Sequence, residues 1–353
     1  MAPSRWFAVG DPQTSRARFF SFLDRAGVLG ADGRLLPDVG LVSIGDHFDY
    51  GRDAEEAARE GTSILRWLAS HPPEQVALIA GNHDLSRVME LAFESDASFA
   101  EARSLAAAGD AGFAARFPHL PTPDVALKDF CGFRVEQRAL VQELLLQRRF
   151  LLGLATSLGD QPALIVHAGL STRELSILGA PDEREPRALA SLLNRWLFDA
   201  VDRVAPTWSR GEPAALSLEP LHVAGCSGRE GGGFLYHRPV NPERPNRKET
   251  ALDLAPDRPR RFDARILPRG LLQIVGHTSH TRSRVELVPW TTARAAATER
   301  GGGHRTLRMD DAPVYDLGVL PHHATAATVV MIDGGMSDPA IDDVELLPIG
   351  APR

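Results

Sequence analysis

The chain has 353 residues, of which 43% are hydrophobic, and its formal charge is −7. This length and hydrophobic content allow one large domain or two small ones. The acidic balance excludes a general nucleic-acid binder, which would present a net basic face. Two cysteines, Cys131 and Cys226, are too few for a disulfide framework or a thiolate metal cage, and they fit a reducing cytoplasm.

The apolar segments of the chain are short. The first one is closed by Asp11, so the N-terminal residues do not resemble a signal peptide. No apolar run approaches the roughly 20 residues that a membrane-spanning helix needs. We therefore expect a cytoplasmic protein with no membrane association.

Six short apolar stretches, taken in chain order, each end in polar residues. They are predicted strands: Trp6–Val9, Val39–Ile44, Val76–Ala80, Ala163–Val166, Leu271–Val275 and Thr328–Ile332. Helical patterns lie between the early strands, as in Ala54–Ala69, where Ile64 and Leu68 have core spacing. Alternating strands and helices predict a layered α/β fold. In such folds the loops at the strand ends carry the chemistry.

Three segments depart from this alternation. Residues 86–157 contain Ala-rich and Leu-periodic stretches and are predicted to form a helical insertion or cap. Residues 205–262 are rich in Pro, Gly and Arg without periodicity, and residues 289–325 carry three consecutive glycines. Both are predicted to be loop insertions.

The polar side chains that follow the predicted strands share one chemistry. They offer carboxylate oxygen, amide oxygen and imidazole nitrogen: Asp11, Gln13, Asp46, Asp49, Asn82, His83, His167, His277 and His280. This donor set suits Mn, Fe, Zn or Mg rather than a metal that prefers thiolates. Two such ions about 3.5–4 Å apart serve phosphoryl chemistry in particular. A single Gly-Asp or Gly-His pair carries little information, whereas five such loops in order are hard to produce by chance.

The ordered series of loops resembles the calcineurin-like metallophosphoesterase superfamily. The resemblance is carried by Gly10-Asp11-x-Gln13, Gly45-Asp46-x-x-Asp49-x-Gly51, Gly81-Asn82-His83-Asp84, Val166-His167-Ala168-Gly169 and Gly276-His277-Thr278. The stretches VHAGL, VGHT and IDGGMS look most like the phosphoprotein-phosphatase branch, especially the bacterial Shewanella-like phosphatases. The resemblance runs from about residue 5 to 340 and is confined to the strand ends.

The resemblance implies a single metallophosphoesterase domain over residues 1–353, built as a four-layer αββα sandwich. It implies a phosphatase with two divalent metal ions, in which a metal-bridging hydroxide attacks a phosphomonoester. Mn²⁺ is the expected best activator, with Fe, Zn or Mg as alternatives. Five ligands follow from it: Asp46 would bridge the two metals, Asp11 would bind the first, and Asn82, His167 and His277 would bind the second.

The resemblance gives His83 another role, that of the acid which protonates the leaving alcohol while Asp49 holds its ring. Physical chemistry agrees, because metal-activated water needs no protein nucleophile. The leaving oxygen still needs a proton, and a histidine oriented by a carboxylate is suited to give it. The substrate would be a phosphoprotein, with Ser/Thr or Tyr phosphate, or a small phosphoester.

The chain departs from the family pattern at its first metal site. Gln13 stands where the family usually has His, and an amide oxygen is a weaker donor than imidazole. His280, three residues after His277, would compensate as a ligand or would be a surface histidine. Asp333 is expected to support the core or a ligand by hydrogen bonding and is not counted as a ligand itself.

The chain departs from the phosphatase branch again at Tyr50, where that branch usually has Arg. An arginine that grips phosphate must then come from elsewhere in the chain. Arg238 is favoured over Arg210, because glycines precede its segment, and another arginine such as Arg229 is left open. Nearly all positive charge in this chain is arginine, so proximity to a motif is weak evidence.

Two other functions remain open at this level. One keeps the superfamily but changes the substrate, giving a nucleotide hydrolase of the diadenosine-tetraphosphatase type or a phosphodiesterase. The other is a non-catalytic scaffold, which only Gln13 and Tyr50 favour.

Overall fold

The computed structural model describes residues 2–51, 53–244, 257–338 and 342–352. In these residues the strands are β1 (Arg5–Val9), β2 (Val39–Ser43), β3 (Val76–Ile79), β4 (Phe150–Leu151), β5 (Leu154–Leu158), β6 (Gln161–Val166), β7 (His222–Val223), β8 (Gly232–Gly233), β9 (Arg238–Val240), β10 (Arg261–Asp263), β11 (Leu272–Val275), β12 (Arg305–Met309), β13 (Val314–Leu317), β14 (Ala327–Met331) and β15 (Leu347–Ile349). The six predicted strands are all present, as β1, β2, β3, β6, β11 and β14.

The same residues contain helices α1 (Arg16–Arg25), α2 (Ala54–Ala69), α3 (Asn82–Leu85), α4 (Asp96–Ala108), α5 (Phe113–Arg116), α6 (Pro123–Lys128), α7 (Val135–Leu146), α8 (Thr172–Ile177), α9 (Pro186–Ser209), α10 (His280–Glu286) and α11 (Ala293–Ala297). Helix α2 has the bounds that its apolar spacing predicts. Its N-cap Asp53 accepts a hydrogen bond from the backbone of Glu56, and it buries Ile64, Leu65 and Leu68. No helix in the described part of the chain is both long enough and apolar enough to cross a membrane.

The strands form two large mixed sheets. One has the order β15-β1-β2-β3-β4, with β1 to β4 parallel and β15 antiparallel at the edge. The other has the order β13-β12-β14-β11-β6-β5, in which β6, β11 and β14 are parallel. Every residue of β2, β11 and β14 is buried, which explains why their sequences are mostly apolar.

One apolar cluster contains side chains from both sheets. It includes, from the first sheet, Ala8, Val42 and Ile79 and, from the second, Ile165, Ile274 and Val330. Full burial of an Ile or Val side chain is worth about 1.5–3 kcal/mol, so this shared cluster holds the sheets together. The sheet edges are also bonded directly, since Thr156 Oγ1 donates to the carbonyl of Gly350 at 2.6 Å.

The segment predicted as a helical insertion, 86–157, is helical only in part. Helices α4 to α7 lie within it. Helices α4 to α6 have an apolar cluster of their own, which includes Phe99, Phe113 and Phe133, whereas Val141 and Leu144 of α7 pack in the main core. The last residues of the segment form β4 and the start of β5 instead. The leucines at 151 and 152 match the helical spacing by coincidence, because α7 already ends at Leu146 and Arg148 has a φ of 55°.

The two predicted loop insertions are corrected by the structure. In 205–262, helix α9 continues to Ser209, and β9 pairs in parallel with β10; residues 245–256 lie outside the described residues. Segment 289–325 contains α11, β12 and β13, and both strands belong to the six-stranded sheet. Strand β12 can have a polar sequence because the fold supplies partners for its buried arginine. Arg305 is fully buried, and its guanidinium donates hydrogen bonds to the carbonyls of Gly303, Thr278 and Asp333.

Candidate metal-binding and catalytic cleft

The carboxyl ends of the central strands of both sheets meet at one cleft of about 220 Å³. It is lined by Asp11, Gln13, Asp46, Asn82, His83, Asp129, Tyr236, Arg238, Arg260, His277, Ser279, Arg282 and Asp333. Most of the residues singled out in the sequence lie here. Because they follow strands of two different sheets, no short stretch of sequence shows that they are neighbours.

A possible metal site lies at the centre of the cleft. Asp46, His167 and His277 are buried and place their ligand atoms within 4.8 Å of one another. The Asp46 Oδ2 atom lies 3.3 Å from His167 Nε2 and 4.0 Å from His277 Nδ1. This carboxylate therefore stands between two imidazoles, as a shared ligand should.

Hydrogen bonds fix which nitrogen of His167 faces the cleft. Its Nδ1 donates to the carbonyl of Ile44 at 2.7 Å, so Nε2 faces Asp46 and the amide oxygen of Asn82, which is 3.1 Å away. Burial lowers the pKa of His167, but the charge of Asp46 outweighs it and raises the pKa to about 9. The two oxygen atoms that stabilise a proton on Nε2 are the atoms that would share a divalent cation with it.

The ring of His277 is held through its other nitrogen. Its Nε2 donates to the carbonyl of Tyr236 at 2.9 Å, which leaves Nδ1 turned towards Asp46. Burial and the charge of Arg238 hold the pKa of His277 well below its usual value, so the ring is neutral and keeps a lone pair for a metal. Its backbone N–H donates to both carboxylate oxygens of Asp11, at 3.0 and 2.9 Å.

Carboxylates crowd the side of the cleft where the first metal is expected. Burial, and then the charge of Asp333, raise the pKa of Asp11 well above its usual value, and Asp46 adds to the effect. Gln13 also lines the cleft, and its amide nitrogen donates to the carbonyl of Phe48 at 2.8 Å. A divalent cation would relieve the repulsion among these oxygens, so this donor set fits a hard ion.

His83 and Asp49 form a hydrogen-bonded pair at the edge of the cleft. The ring Nδ1 lies 2.8 Å from Asp49 Oδ2, and Nε2 lies 3.9 Å from Asp46 Oδ2. Burial lowers the pKa of His83, but the charge of Asp46 and the hydrogen bond of Asp49 raise it to about 10. The imidazole is therefore protonated, and 14% of its side chain is exposed, so it can meet a bound molecule.

Asp84 positions the loop that carries Asp46, a role that the sequence did not predict. One carboxylate oxygen accepts the backbone N–H of Asp46 and the other accepts the N–H of His47. His47 in turn bonds Asp84 and Ser43, both at 2.9 Å. Hydrogen bonds thus join Ser43, His47 and Asp84 in the order of a Ser-His-Asp catalytic triad. All three side chains are fully buried, so no substrate reaches the Ser43 hydroxyl. Its role is to support the loop.

Glycine precedes the polar residues because the loops touch. A Cβ on Gly81 would overlap Asp46 Oδ1, and a Cβ on Gly276 would overlap Asp11 Oδ1. The Gly-Asp, Gly-Asn and Gly-His pairs of the sequence are thus a packing requirement as well as a turn signal.

Backbone strain is concentrated at the same place. Asp46, Asp49 and His277 have φ values of 54°, 68° and 58°, a region that side chains other than glycine rarely adopt. Such residues cost on the order of 1–3 kcal/mol each and persist where the surroundings hold them.

Three arginines line the outer part of the cleft. Arg238 is half-buried, its Nε has no hydrogen-bond partner, and burial and the charge of Arg282 lower its pKa to about 10. In the described part of the chain, neither Arg238 nor Arg282 forms an ion pair with a carboxylate. Arg260 lies over the ring of Tyr236 at 4.7 Å and pairs with Glu230. The sequence analysis favoured Arg238 but missed Arg260 and Arg282, because nothing in their local sequence distinguishes these two from the many other arginines of the chain.

Two predicted residues lie elsewhere. Arg210 caps the end of α9, is exposed and pairs with Glu212 at 2.9 Å, away from the cleft lining. Both ring nitrogens of His280 are taken, by the hydroxyl of Tyr315 at 2.8 Å and the carbonyl of Thr298 at 2.9 Å. His280 is the first residue of α10 and is buried there, so the structure favours a structural role over metal ligation.

One cleft residue comes from the helical segment and was also missed. Asp129, at the end of α6, accepts a hydrogen bond from the hydroxyl of Tyr236 at 3.0 Å. Nothing in its local sequence distinguishes it from a surface carboxylate.

No family model matches the chain, and no curated protein matches it. Among solved structures it is similar to a cold-active protein tyrosine phosphatase, at 14% identity and a TM-score of 0.42, over 95% of this chain and 71% of that one. It is also similar to the cold-active protein-tyrosine phosphatase of a psychrophilic Shewanella species, at 14% identity and a TM-score of 0.41, over 98% and 75% of the two chains. Likeness at this level carries no argument, and the functional proposal depends on the cleft.

Proposed function

We propose that the chain is a metal-dependent phosphatase that hydrolyses phosphomonoesters. The proposal includes a single calcineurin-like domain whose two sheets are flanked by helices as a four-layer sandwich, and two divalent ions with Mn²⁺ as the best activator. One observation carries it: Asp46 lies between His167 and His277 in the cleft that His83, hydrogen-bonded to Asp49, also lines. Ligands and acid are thereby within reach of one bound molecule.

The residues fit two ions with different surroundings. Asp11, Asp46 and Gln13 would hold the first, and Asp46, Asn82, His167 and His277 the second. When bound, such ions supply Lewis-acid activation of water and neutralise charge on the phosphoryl group. The first set contains oxygen donors only, which favours Mn²⁺ or Mg²⁺, whereas the second contains two imidazoles.

The chain's own residues supply binding and proton transfer. Arg238 and Arg282, which lack carboxylate partners in the described residues, would hold the phosphate oxygens. His83 would donate the proton on Nε2 to the leaving oxygen while Asp49 holds Nδ1. Unpaired guanidinium groups favour a dianion over a monoanion, so this cleft suits a monoester better than a diester. A phosphoprotein is the substrate class that we propose first.

The test combines metal content with turnover. Purified protein should contain divalent metal and, with Mn²⁺, should hydrolyse p-nitrophenyl phosphate in preference to bis(p-nitrophenyl) phosphate. Preference for the bis-ester would indicate a phosphodiesterase, and cleavage of diadenosine tetraphosphate alone would indicate a nucleotide hydrolase. Protein that binds no metal and turns over none of these substrates would overturn the proposal in favour of a scaffold.

A further inference from the structure

Arg87 does not line the cleft, but all three nitrogen atoms of its guanidinium group donate hydrogen bonds to side chains next to the cleft. It is fully buried and holds both oxygens of Asp49, with Nη1–Oδ2 at 2.7 Å and Nη2–Oδ1 at 2.8 Å. This is the two-point geometry that guanidinium and carboxylate groups form best. Asp49 is the partner of His83, so Arg87 lies directly behind the pair that is proposed to donate the proton.

Arg87 also contacts His83 itself. Its Nη1 donates to the backbone carbonyl of His83 at 2.9 Å and to Ser86 Oγ at 3.0 Å. The guanidinium lies over the ring of Phe48 at 4.7 Å. One side chain therefore fixes the backbone of His83, the carboxylate that orients its ring and, through Phe48, the loop between Asp46 and Asp49.

The helical segment holds this arrangement from the other side. Gln137 on α7 accepts from Arg87 Nε at 3.2 Å, and the backbone N–H of Gly132, just before α7, donates to Asp49 Oδ1 at 3.0 Å. Gln137 is itself held, because its oxygen also accepts the N–H of Arg134 at 3.2 Å. The contacts run unbroken from α7 to His83.

Packing alone does not explain a charged side chain at this position. Burying a guanidinium and a carboxylate costs several kcal/mol per ion, and apolar residues of similar volume often fill such positions with no loss of stability. A bidentate arginine does what an apolar residue cannot. It keeps Asp49 ionised and fixes its plane, so that Asp49 accepts the Nδ1 hydrogen of His83 and leaves the proton on Nε2 directed into the cleft.

We propose that Arg87, anchored by Gln137, is a positioning residue for proton donation by His83. This inference rests on the function proposed above, in which His83 is the acid. It gives the helical segment, through Arg87 and Gln137, a role in catalysis that differs from metal binding and from phosphate binding.

The test uses leaving groups, because an acid matters most when the departing oxygen is strongly basic. Aryl phosphates from p-nitrophenyl to phenyl phosphate would be compared in wild type, His83→Ala and Arg87→Lys. Arg87→Lys should lower kcat about tenfold or more for phenyl phosphate and less than about threefold for p-nitrophenyl phosphate. In the His83→Ala background, Arg87→Lys should cost less than about twofold, because both changes remove the same function. Metal content should be unchanged.

Arg138→Lys is the matched control. Arg138 is on α7 beside Gln137, lies over the ring of Phe133 at 5.9 Å and donates to the carbonyls of Leu91 and Glu94, but it has no hydrogen bond to Asp49. It should lose stability as Arg87→Lys does, without a change in leaving-group dependence. If Arg87→Lys does not fold, Gln137→Leu carries the test, and a selective loss on phenyl phosphate is expected of it.

The outcomes separate this inference from the proposed function. Equal losses on all esters in Arg87→Lys, or losses that multiply with those of His83→Ala, would show a purely structural arginine and overturn the inference. If Gln137→Leu replaces it, equal losses there do the same. A flat leaving-group response in His83→Ala itself would instead overturn the acid role of His83.

Discussion

At the scale of single residues, the hydrogen-bond acceptor behind each imidazole separates the roles of the cleft histidines. His167 and His277 each donate one ring N–H to a backbone carbonyl, which fixes the tautomer and turns the other nitrogen to Asp46. His83 donates to a carboxylate, Asp49, which favours a charged ring. Metal-bound histidines donate to either kind of acceptor, whereas a carboxylate partner favours the charged ring that an acid needs, so the acceptors agree with the roles proposed for the three histidines. In the sequence several histidines follow strands, and only the family resemblance, not the residues around them, separates their expected roles.

The first prediction at this scale concerns His83. His83→Ala should lower kcat by about 10²–10⁴ with a natural phosphoester, the usual value of general acid catalysis. Metal content should remain, because the ring Nε2 lies 3.9 Å from Asp46 and the ring is held by Asp49. Elemental analysis beside steady-state kinetics measures both. A variant that lost its metal together with its activity would show that His83 is a ligand.

The second prediction concerns Arg238. Arg238→Lys should raise KM and lower kcat/KM for a phosphomonoester about tenfold or more, since lysine cannot make the two-point contact of a guanidinium. Inhibition by free phosphate should weaken in parallel. Arg210→Lys is the control, because Arg210 is exposed and pairs with Glu212. Unchanged phosphate inhibition in Arg238→Lys would assign the contact to Arg282 or Arg260.

At the scale of elements, six strands followed from the sequence, and the other strands of the described residues did not. Strands β2, β11 and β14 are buried throughout, so their apolar runs identify them. Strand β12 is Arg-Thr-Leu-Arg-Met, and only the three-dimensional fold supplies the carbonyl groups that accept the hydrogen bonds of its buried arginine. The same limit applies to Arg87 and Asp84, whose roles depend on partners 38 positions away in the chain.

The third prediction belongs to the junction between β11 and α10. Gly276→Ala should displace Asp11, because the new Cβ would overlap Asp11 Oδ1. We expect a metal affinity at least about tenfold weaker, roughly 1.4 kcal/mol or more, measured by calorimetric titration with Mn²⁺. Gly303→Ala is the matched control, because its Cβ would meet only ordinary contact with Glu345 at 3.7 Å. Equal affinities in the two variants would contradict the role given to this glycine.

At the scale of the whole molecule, a buried acid couples stability to pH. Glu90 is 7% exposed, and burial raises its pKa to about 7 although the N–H of Gly225 donates to it at 2.9 Å. Between the ordinary carboxyl pKa and about 7 the folded chain keeps a proton that the unfolded chain releases. Stability from this residue is therefore full in acid and is lost as pH rises through about 7.

The fourth prediction is that Glu90→Gln removes this dependence. The free energy of unfolding of Glu90→Gln, minus that of wild type, should rise by at most about 3 kcal/mol between pH 5 and pH 8 and should be constant above pH 8. Urea denaturation at several pH values measures it. Glu143→Gln, exposed on α7, is the control for exchanging a carboxylate for an amide. A difference between Glu90→Gln and wild type that does not vary with pH would contradict the assignment.

The cleft lies on the joint between the two sheets, and this has a mechanical consequence. Asp11, Asp46 and Asn82 follow strands of one sheet, whereas His167 and His277 follow strands of the other. An ion bound by both groups would connect the two sheets at the cleft. Such an ion would bind the folded chain and not the unfolded one, so its binding would raise the free energy of unfolding. The residues proposed to hold the metal would then also determine how firmly the two sheets are held together.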